Sequence, residues 1–135
     1  MSTLEGRTAI FSGGSRGIGL AIARQLAERG ANITLIAKTD TPQPNLPGTI
    51  HTAADELRAL GAEVLPIVGD IRDEEGVAAA VARTVERFGG IDLCVNNASA
   101  LNLSPIGDLP LKRFDLMQSI NVRGTFVLTS ACLPH

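Results

Sequence analysis

Four short, almost continuously apolar runs alternate along the chain with longer stretches in which apolar residues recur at helical spacing. The runs predict β-strands at residues 7–11, 32–38, 63–70 and 91–97. Strands that are apolar throughout are typical of a parallel sheet covered on both faces, and parallel neighbours need right-handed crossover connections such as helices. With no repeat or linker dividing them, residues 1–135 predict a single α/β domain: four parallel strands with helices on both faces, the first part of a doubly wound fold.

The helical stretches have recognisable faces and ends. The first stops at Gly30 and is predicted to bury a stripe of Ile18, Ala21, Ile22 and Leu26. A second helix is predicted at 52–60 and a long fourth one at 110–135. The third follows Asp73 as a candidate N-cap, ends at Gly89, and has an apolar face of Val77, Ala80, Val81, Val85 and Phe88.

Prolines mark two departures from regular structure. Pro42, Pro44 and Pro47 predict a loop between the second strand and the second helix, because proline lacks an N–H donor and restricts the residue before it. Pro66 lies inside the third predicted strand and is expected to reduce its regularity.

The segment FSGGSRGIG, residues 11–19, has two incompatible interpretations. Its G-x-S-x-G spacing is typical of a turn that presents a nucleophilic serine, here Ser15. Such a site also needs an oxyanion loop from an earlier strand, followed later by an acid and a histidine. This turn follows the first strand, and the histidines available are His51 and His135. The nucleophile interpretation is therefore disfavoured.

The second interpretation is a glycine loop that lets a phosphate approach a helix N-terminus. Gly13 would permit the tight turn, Gly17 the approach of a pyrophosphate, and Gly19 close contact between helix and strand. Ser15 and Arg16 would then donate hydrogen bonds to phosphate. Because the spacing differs from the standard G-x-G-x-x-G, a glycine-rich turn without a ligand remains an alternative.

Charge and apolar patterning exclude several classes of protein. A net charge of −2 provides no field that would attract nucleic acid or an anionic membrane surface. The first residues lack a signal-peptide pattern, and no stretch approaches the ~20 apolar residues of a membrane span. Cys94 and Cys132 lack metal-ligand spacing and are expected to be isolated buried thiols. We expect a cytoplasmic protein without a metal site and without nucleic-acid or membrane partners.

Four motifs point to a known family: the glycine loop, Asp70-Ile71, NNAS at 96–99 and NVRG at 121–124. In order and approximate spacing they resemble the short-chain dehydrogenase/reductase family. The segments AKTDTPQPNLPGTIHTAADELRALG and GGIDLCVNNASALNL resemble its hydroxysteroid-dehydrogenase-like branch. Ser12 stands in the place of the family's threonine, and Ser99 in that of its usual glycine. The resemblance implies a Rossmann-type dinucleotide-binding domain and hydride transfer to or from a small-molecule carbonyl or alcohol substrate.

The resemblance also implies individual roles at the cofactor site. Asp70 would hydrogen-bond the adenine with Ile71 beside it, and Asn97, Ala98 and Ser99 would line the ribose region. Two alternatives remain: Asp70 only caps the turn into the next helix, and Asn96 and Asn97 are only turn formers. The predicted cofactor-binding set is Gly13, Ser15, Arg16, Gly17, Ile18, Gly19, Lys38, Asp70, Ile71, Asn97, Ala98 and Ser99.

Charge at the end of the second strand favours NADP(H) over NAD(H). NAD-selective sites place Asp or Glu there to accept a hydrogen bond from the ribose 2′-hydroxyl. Here the position is Ala37, Lys38 follows, Arg16 lies across in the glycine loop, and no nearby carboxylate comes before Asp40. Two cations suit a 2′-phosphate. The alternative is that Lys38 is solvated and unengaged.

The family's catalytic residues are incompletely represented. The resemblance assigns the acid/base role to a Tyr with a Lys four residues later, substrate orientation to a Ser, and a supporting role in proton relay to an Asn, which Asn121 matches. The chain contains no Tyr. We therefore expect a C-terminally truncated member that is inactive alone, or a non-catalytic nucleotide-binding fragment in which Asn121 only distorts its helix. The long C-terminal helix offers a surface for homo-oligomer formation.

Overall fold

The computed structural model describes residues 3–46 and 48–135. Met1, Ser2 and Pro47 lie outside the described residues, and with them part of the signal-peptide and proline-loop predictions. Four parallel strands form one sheet in the order β3-β2-β1-β4, which confirms the predicted parallel sheet. The strands are β1 (Thr8–Ser12), β2 (Asn32–Ala37), β3 (Val64–Val68) and β4 (Leu93–Asn96).

Helices cover both faces of this sheet, as the apolar strands predict. The α-helices are α1 (Gly17–Glu28), α2 (Ile50–Ala59), α3 (Glu74–Phe88), α4 (Leu111–Gln118) and α5 (Thr125–Cys132). One core cluster joins α1 and α2 to Phe11, Ile33 and Leu35 of the sheet. A second cluster joins α3 and α5 to Ile10 and Ile67 on the opposite face. Alternate residues of each strand therefore contribute to the two cores.

The buried face of α1 differs from the predicted stripe. The side chains that face the core belong to Leu20, Ala23 and Ala27, whereas Ile18 is 76% exposed and Ile22 is 37% exposed. Small residues let the helix lie close to the sheet, so the larger isoleucines are left on the outer side. The prediction was wrong because it weighted large apolar residues above small ones. On α3 the predicted face is confirmed, with Val77, Ala80 and Val81 buried.

Helix ends show where local chemistry sets the boundaries. α2 begins at Ile50, two residues before the predicted start, because Thr49 and Thr52 form a capping box. The Thr49 hydroxyl accepts hydrogen bonds from the amides of His51 and Thr52, both at 3.2 Å. Asp73 occupies the predicted N-cap position of α3, but its side chain makes no capping hydrogen bond.

The predicted fourth helix is not one uniform helix. A π-helical segment, Ser119–Gly124, joins α4 to α5, and a 3₁₀ turn at Ile106–Asp108 precedes α4. Pro66 keeps regular register with Leu35, and β3 tolerates it because it is an edge strand. Within the described residues, no helix is long and apolar enough to cross a membrane.

The segment between β2 and α2 is irregular, as its prolines predict. The segment from residue 40 to residue 49 is here called the insert. Its described residues, 40–46 and 48–49, contain no helix or strand, and one isolated bridge joins Gln43 to Leu46. The amide of Ile50 donates to the carbonyl of Thr39 at 2.9 Å, which closes the base of the insert. The insert therefore leaves from the carboxyl end of β2, and the chain comes back beside Thr39 at the start of α2.

Candidate functional site

A cavity of about 730 Å³ lies at the carboxyl ends of the strands. This is where parallel α/β sheets bind ligands, and the volume is in the range of small-molecule sites. Most of the predicted set lines it: Gly13, Ser15, Arg16, Ile18, Lys38, Asp70, Ile71, Asn97, Ala98 and Ser99. Gly17 and Gly19 do not line it. The sequence interpretation did not include other lining residues, among them Thr39, Gln43, Leu46 and Ile120.

The glycine loop passes very close to the end of β4. A Cβ built on Gly13 would lie 2.6 Å from Nδ2 of Asn97, and the φ of Gly13 is +80°. A Cβ on Gly19 would lie 2.5 Å from the same Nδ2 and 2.8 Å from Cα of Gly14. A side chain at either position would force Asn97 to move, and at Gly19 it would also meet the backbone of Gly14. Gly17 differs, because its φ is +60° but nothing lies within 4 Å of its missing Cβ.

Ser12 fixes the position of the NNAS motif. Its hydroxyl accepts hydrogen bonds from the amides of Asn97 at 3.2 Å and Ala98 at 3.1 Å. The end of β1 thereby holds the loop after β4 against the glycine loop. The signal for this role was the threonine position of the family pattern, which Ser12 occupies. Asn96 points elsewhere, and its Nδ2 donates to Thr129 Oγ1 at 2.9 Å.

Arg16 brings a cation to the wall of the cavity. It is the N-cap residue of α1, with φ −164° and ψ 174°, and its NH2 group donates to Thr39 Oγ1 at 2.8 Å. Its NH1 group is buried and, in the described part of the chain, has no hydrogen-bond partner. Buried donors in native proteins are nearly always paired. The guanidinium therefore has unused donor capacity beside the cavity.

The carboxylate of Asp70 contacts two cationic side chains, those of Arg72 and Lys38. Arg72 donates to its carboxylate from the backbone amide at 2.9 Å and from the guanidinium NH2 at 2.6 Å. The side-chain hydrogen bond from Arg72 holds the pKa of Asp70 down at about 2. The turn-capping alternative for Asp70 is thus realised in the structure, whatever else the carboxylate binds.

Lys38 is neither unpaired nor free of nearby carboxylates. Its Nζ lies 3.7 Å from Oδ2 of Asp70, and its side chain is 67% exposed. Along the sequence, no carboxylate lies near the end of β2 before Asp40, but the sheet brings the end of β3 beside the end of β2. The two cations therefore differ in their partners. Lys38 forms an ion pair with a carboxylate, whereas Arg16 donates a hydrogen bond to a neutral hydroxyl.

Asn121 lies in the π-helical segment and holds a loop. Its Oδ1 accepts from the Ala100 amide at 2.8 Å, and its Nδ2 donates to the Ala100 carbonyl at 2.9 Å. It does not line the cavity, although its neighbour Ile120 does. A Cβ on Gly124 would lie 3.0 Å from Ile71 Cγ2, so the segment also packs closely against that wall residue. The helix is therefore distorted at Asn121, which is the alternative that the sequence left open for this residue. π-helical segments often lie near functional sites.

The two cysteines and His51 differ in the structure from the roles considered for them from the sequence. Cys94 and Cys132 are not isolated from each other, because the interaction between the two thiols lowers the pKa of Cys94 and raises the pKa of Cys132. Cys94 is only partly buried. A serine nucleophile would need a nearby histidine. Instead, His51 Nε2 lies 2.5 Å from Oδ1 of Asp40 in the insert, and the two side chains form a hydrogen bond.

Comparison with known proteins gives one consistent result for the sequence. A family model described as short chain dehydrogenase matches residues 7–135. Hydroxysteroid dehydrogenase-like protein 2 of Homo sapiens is 51% identical over 132 residues, and that of Danio rerio is 52% identical. Each match covers 98% of this chain but 32% of the relative. The chain thus spans about a third of the length of these curated relatives.

Solved structures share the fold over nearly the whole chain. A short chain dehydrogenase from Mycobacterium thermoresistibile has a TM-score of 0.95 at 62% identity, covering 98% of this chain and 48% of that one. An NAD⁺-bound xylitol dehydrogenase has a TM-score of 0.88 at 31% identity, covering 97% and 48%. A blue fluorescent protein from a metagenomic library, in complex with NADPH, has a TM-score of 0.84 at 33% identity, covering 98% and 52%.

Proposed function

The chain belongs to the short chain dehydrogenase family, and from that premise we propose that it forms the cofactor-binding part of an NADP(H)-dependent oxidoreductase. The proposed reaction is hydride transfer between NADP(H) and a small-molecule carbonyl or alcohol. The observation that carries the cofactor preference is the Arg16 guanidinium in the cavity wall, whose buried NH1 has no acceptor in the described part of the chain.

The residues around the cavity suit a dinucleotide. The glycine loop brings backbone rather than side chains to the start of α1, where free amides and the helix dipole favour a pyrophosphate. Asn97, Ala98 and Ser99 line the cavity and would contact the ribose, and Asp70 with Ile71 would contact the adenine. When bound, the cofactor supplies a nicotinamide that accepts or donates the hydride. The chain's own residues bind and orient it.

Three features support a 2′-phosphate at the adenosine end. Ala37 ends β2 in place of the carboxylate that would accept from a ribose 2′-hydroxyl. Arg16 presents unused donors, and Lys38 adds a second positive charge that a phosphate would draw away from Asp70. The relatives do not decide the matter, because one solved structure contains NAD⁺ and another NADPH.

Catalysis by the 135 residues alone is a separate question, and we expect none. The chain has no Tyr, the residue type that serves as acid/base in the family it resembles. Asn121, proposed as a supporting residue, uses both side-chain groups to hold Ala100. The absence of Tyr favours the second candidate function, a nucleotide-binding unit that does not turn over substrate alone.

Direct titration with reduced cofactors tests the proposal. The chain has no Trp or Tyr, so nicotinamide fluorescence can be followed with almost no protein background. We expect NADPH to bind more tightly than NADH, with no consumption of either in the presence of a panel of ketones and aldehydes. Tighter binding of NADH would contradict the cofactor assignment, and turnover would contradict the expected inactivity.

A further inference from the structure

Thr39 connects the insert to the glycine loop. It follows β2 by two residues and is partly buried in the cavity wall. Its hydroxyl oxygen accepts from the NH2 group of Arg16 at 2.8 Å, across 23 positions of sequence. Nothing in the sequence pattern indicated this contact, because the two residues come together only when β1 and β2 pair.

The backbone of Thr39 is fixed independently of that side-chain contact. Its carbonyl accepts from the amide of Ile50, which is fully buried at the start of α2. Asp40, the next residue, pairs with His51 in the first turn of the same helix. The hydroxyl therefore projects from a site anchored to the core, and it supplies a fixed acceptor for a long and otherwise flexible arginine.

We infer that Thr39 is a positioning residue, which holds the Arg16 guanidinium in the orientation that recognises a 2′-phosphate. The inference rests on the proposed NADP(H) preference. By engaging NH2, the hydroxyl leaves NH1 as the group without a partner, beside the cavity.

The structure distinguishes the positioning role of Thr39 from a simple attraction between a cation and the phosphate. Lys38 lies mostly in solvent and is shared with Asp70, so it contributes positive charge without a fixed direction. Arg16 is held by a neutral partner and keeps its full charge. Removing the Thr39 hydroxyl would leave the net charge of the site unchanged, while the guanidinium would lose its orientation.

The test uses two small probes that differ only in the group at issue. Binding of 2′,5′-ADP and of 5′-AMP is measured by calorimetry for the wild-type chain and for Thr39→Val, Thr39→Ser and Arg16→Ala. Thr39→Val should weaken 2′,5′-ADP roughly 2- to 10-fold, the usual range for one hydrogen bond, and leave 5′-AMP unchanged. Thr39→Ser keeps the hydroxyl and should bind both probes like wild type.

A double variant separates positioning from an independent contact. In the Arg16→Ala background, Thr39→Val should cause little further loss, because there is no guanidinium left to orient. Equal losses with and without Arg16 would overturn the positioning role, as would an unchanged probe ratio in Thr39→Val with an unchanged melting temperature. If wild type binds 2′,5′-ADP no better than 5′-AMP, the NADP(H) proposal itself fails, and the inference fails with it.

Discussion

Gly19→Ala tests the closest packing in the site. The added Cβ would lie 2.5 Å from Asn97 Nδ2, 2.9 Å from Asn97 Cγ and 2.8 Å from Gly14 Cα. Ordinary carbon contacts are about 3.5–4.0 Å, so both neighbours must move. The Asn97 side chain can rotate, but Gly14 is held, because its own position lies against Phe11 and Leu35 of the core.

The magnitude follows from two opposing effects. Overpacking of this kind costs about 1–3 kcal/mol, while replacing glycine by alanine restrains the unfolded chain and recovers about 0.4–1 kcal/mol. We expect a net loss of roughly 1–2 kcal/mol, or roughly 3–8 °C in melting temperature for a domain of this size. Far-UV circular dichroism is the suitable readout, because the chain has neither Trp nor Tyr to report unfolding by fluorescence.

A matched control and a rescue make the result specific. Gly107→Ala introduces the same chemical change where nothing lies within 4 Å, so its stability should be unchanged or slightly higher. Adding Asn97→Ala to Gly19→Ala removes two of the three close contacts, and the double variant should lose less than the sum of the single losses. If Gly19→Ala melts like Gly107→Ala, the close approach of helix and loop is refuted.

Two further predictions concern Ser12 and Asp70. Ser12→Ala leaves the amides of Asn97 and Ala98 without their acceptor and should cost about 1–3 kcal/mol, with Ser12→Thr restoring stability in the same melting assay. The pKa of Asp70 is about 2 in the folded chain against 3.8 ordinarily, so its ion pair with Arg72 stabilises the fold above pH 4 and loses that effect as the pH falls to 2. Acid titration of stability should therefore be flatter in Asp70→Asn between those values; identical profiles would refute the ion pair's contribution.

The parallel sheet with helices on both faces could be predicted from the sequence, though not the order of its strands, because the fold class depends on patterns repeated along each element. Continuous apolar runs indicate parallel strands, and the α3 face was correctly identified because its apolar residues share one side of the helix and pack against the sheet. The α1 face was not, because Leu20, Ala23 and Ala27 give a weak signal beside Ile18 and Ile22. Where small residues allow close packing, hydrophobicity alone does not show which side of a helix faces the core.

The site was predictable where one motif supplies its own geometry, and less so where the fold brings motifs together. The glycine loop and the NNAS motif were identified from the chain alone, and most of their residues line one cavity, with Gly17, Gly19 and Asn96 outside its lining. The Arg16–Thr39 contact and the approach of Lys38 to Asp70 depend on strand pairing. The π-helical segment depends on a hydrogen-bonding pattern with no distinct sequence signature.

Phosphorus NMR of bound NADP⁺ tests the central claim, a cavity that recognises a 2′-phosphate, most directly. A phosphate monoester has a second pKa near 6, and cations beside it lower that value. With the wild-type chain, the 2′-phosphate resonance should move and its titration midpoint should fall, and Arg16→Ala should make that fall clearly smaller while the pyrophosphate resonances still respond. Pyrophosphate resonances that move while the 2′-phosphate titrates as in free NADP⁺ would contradict the account.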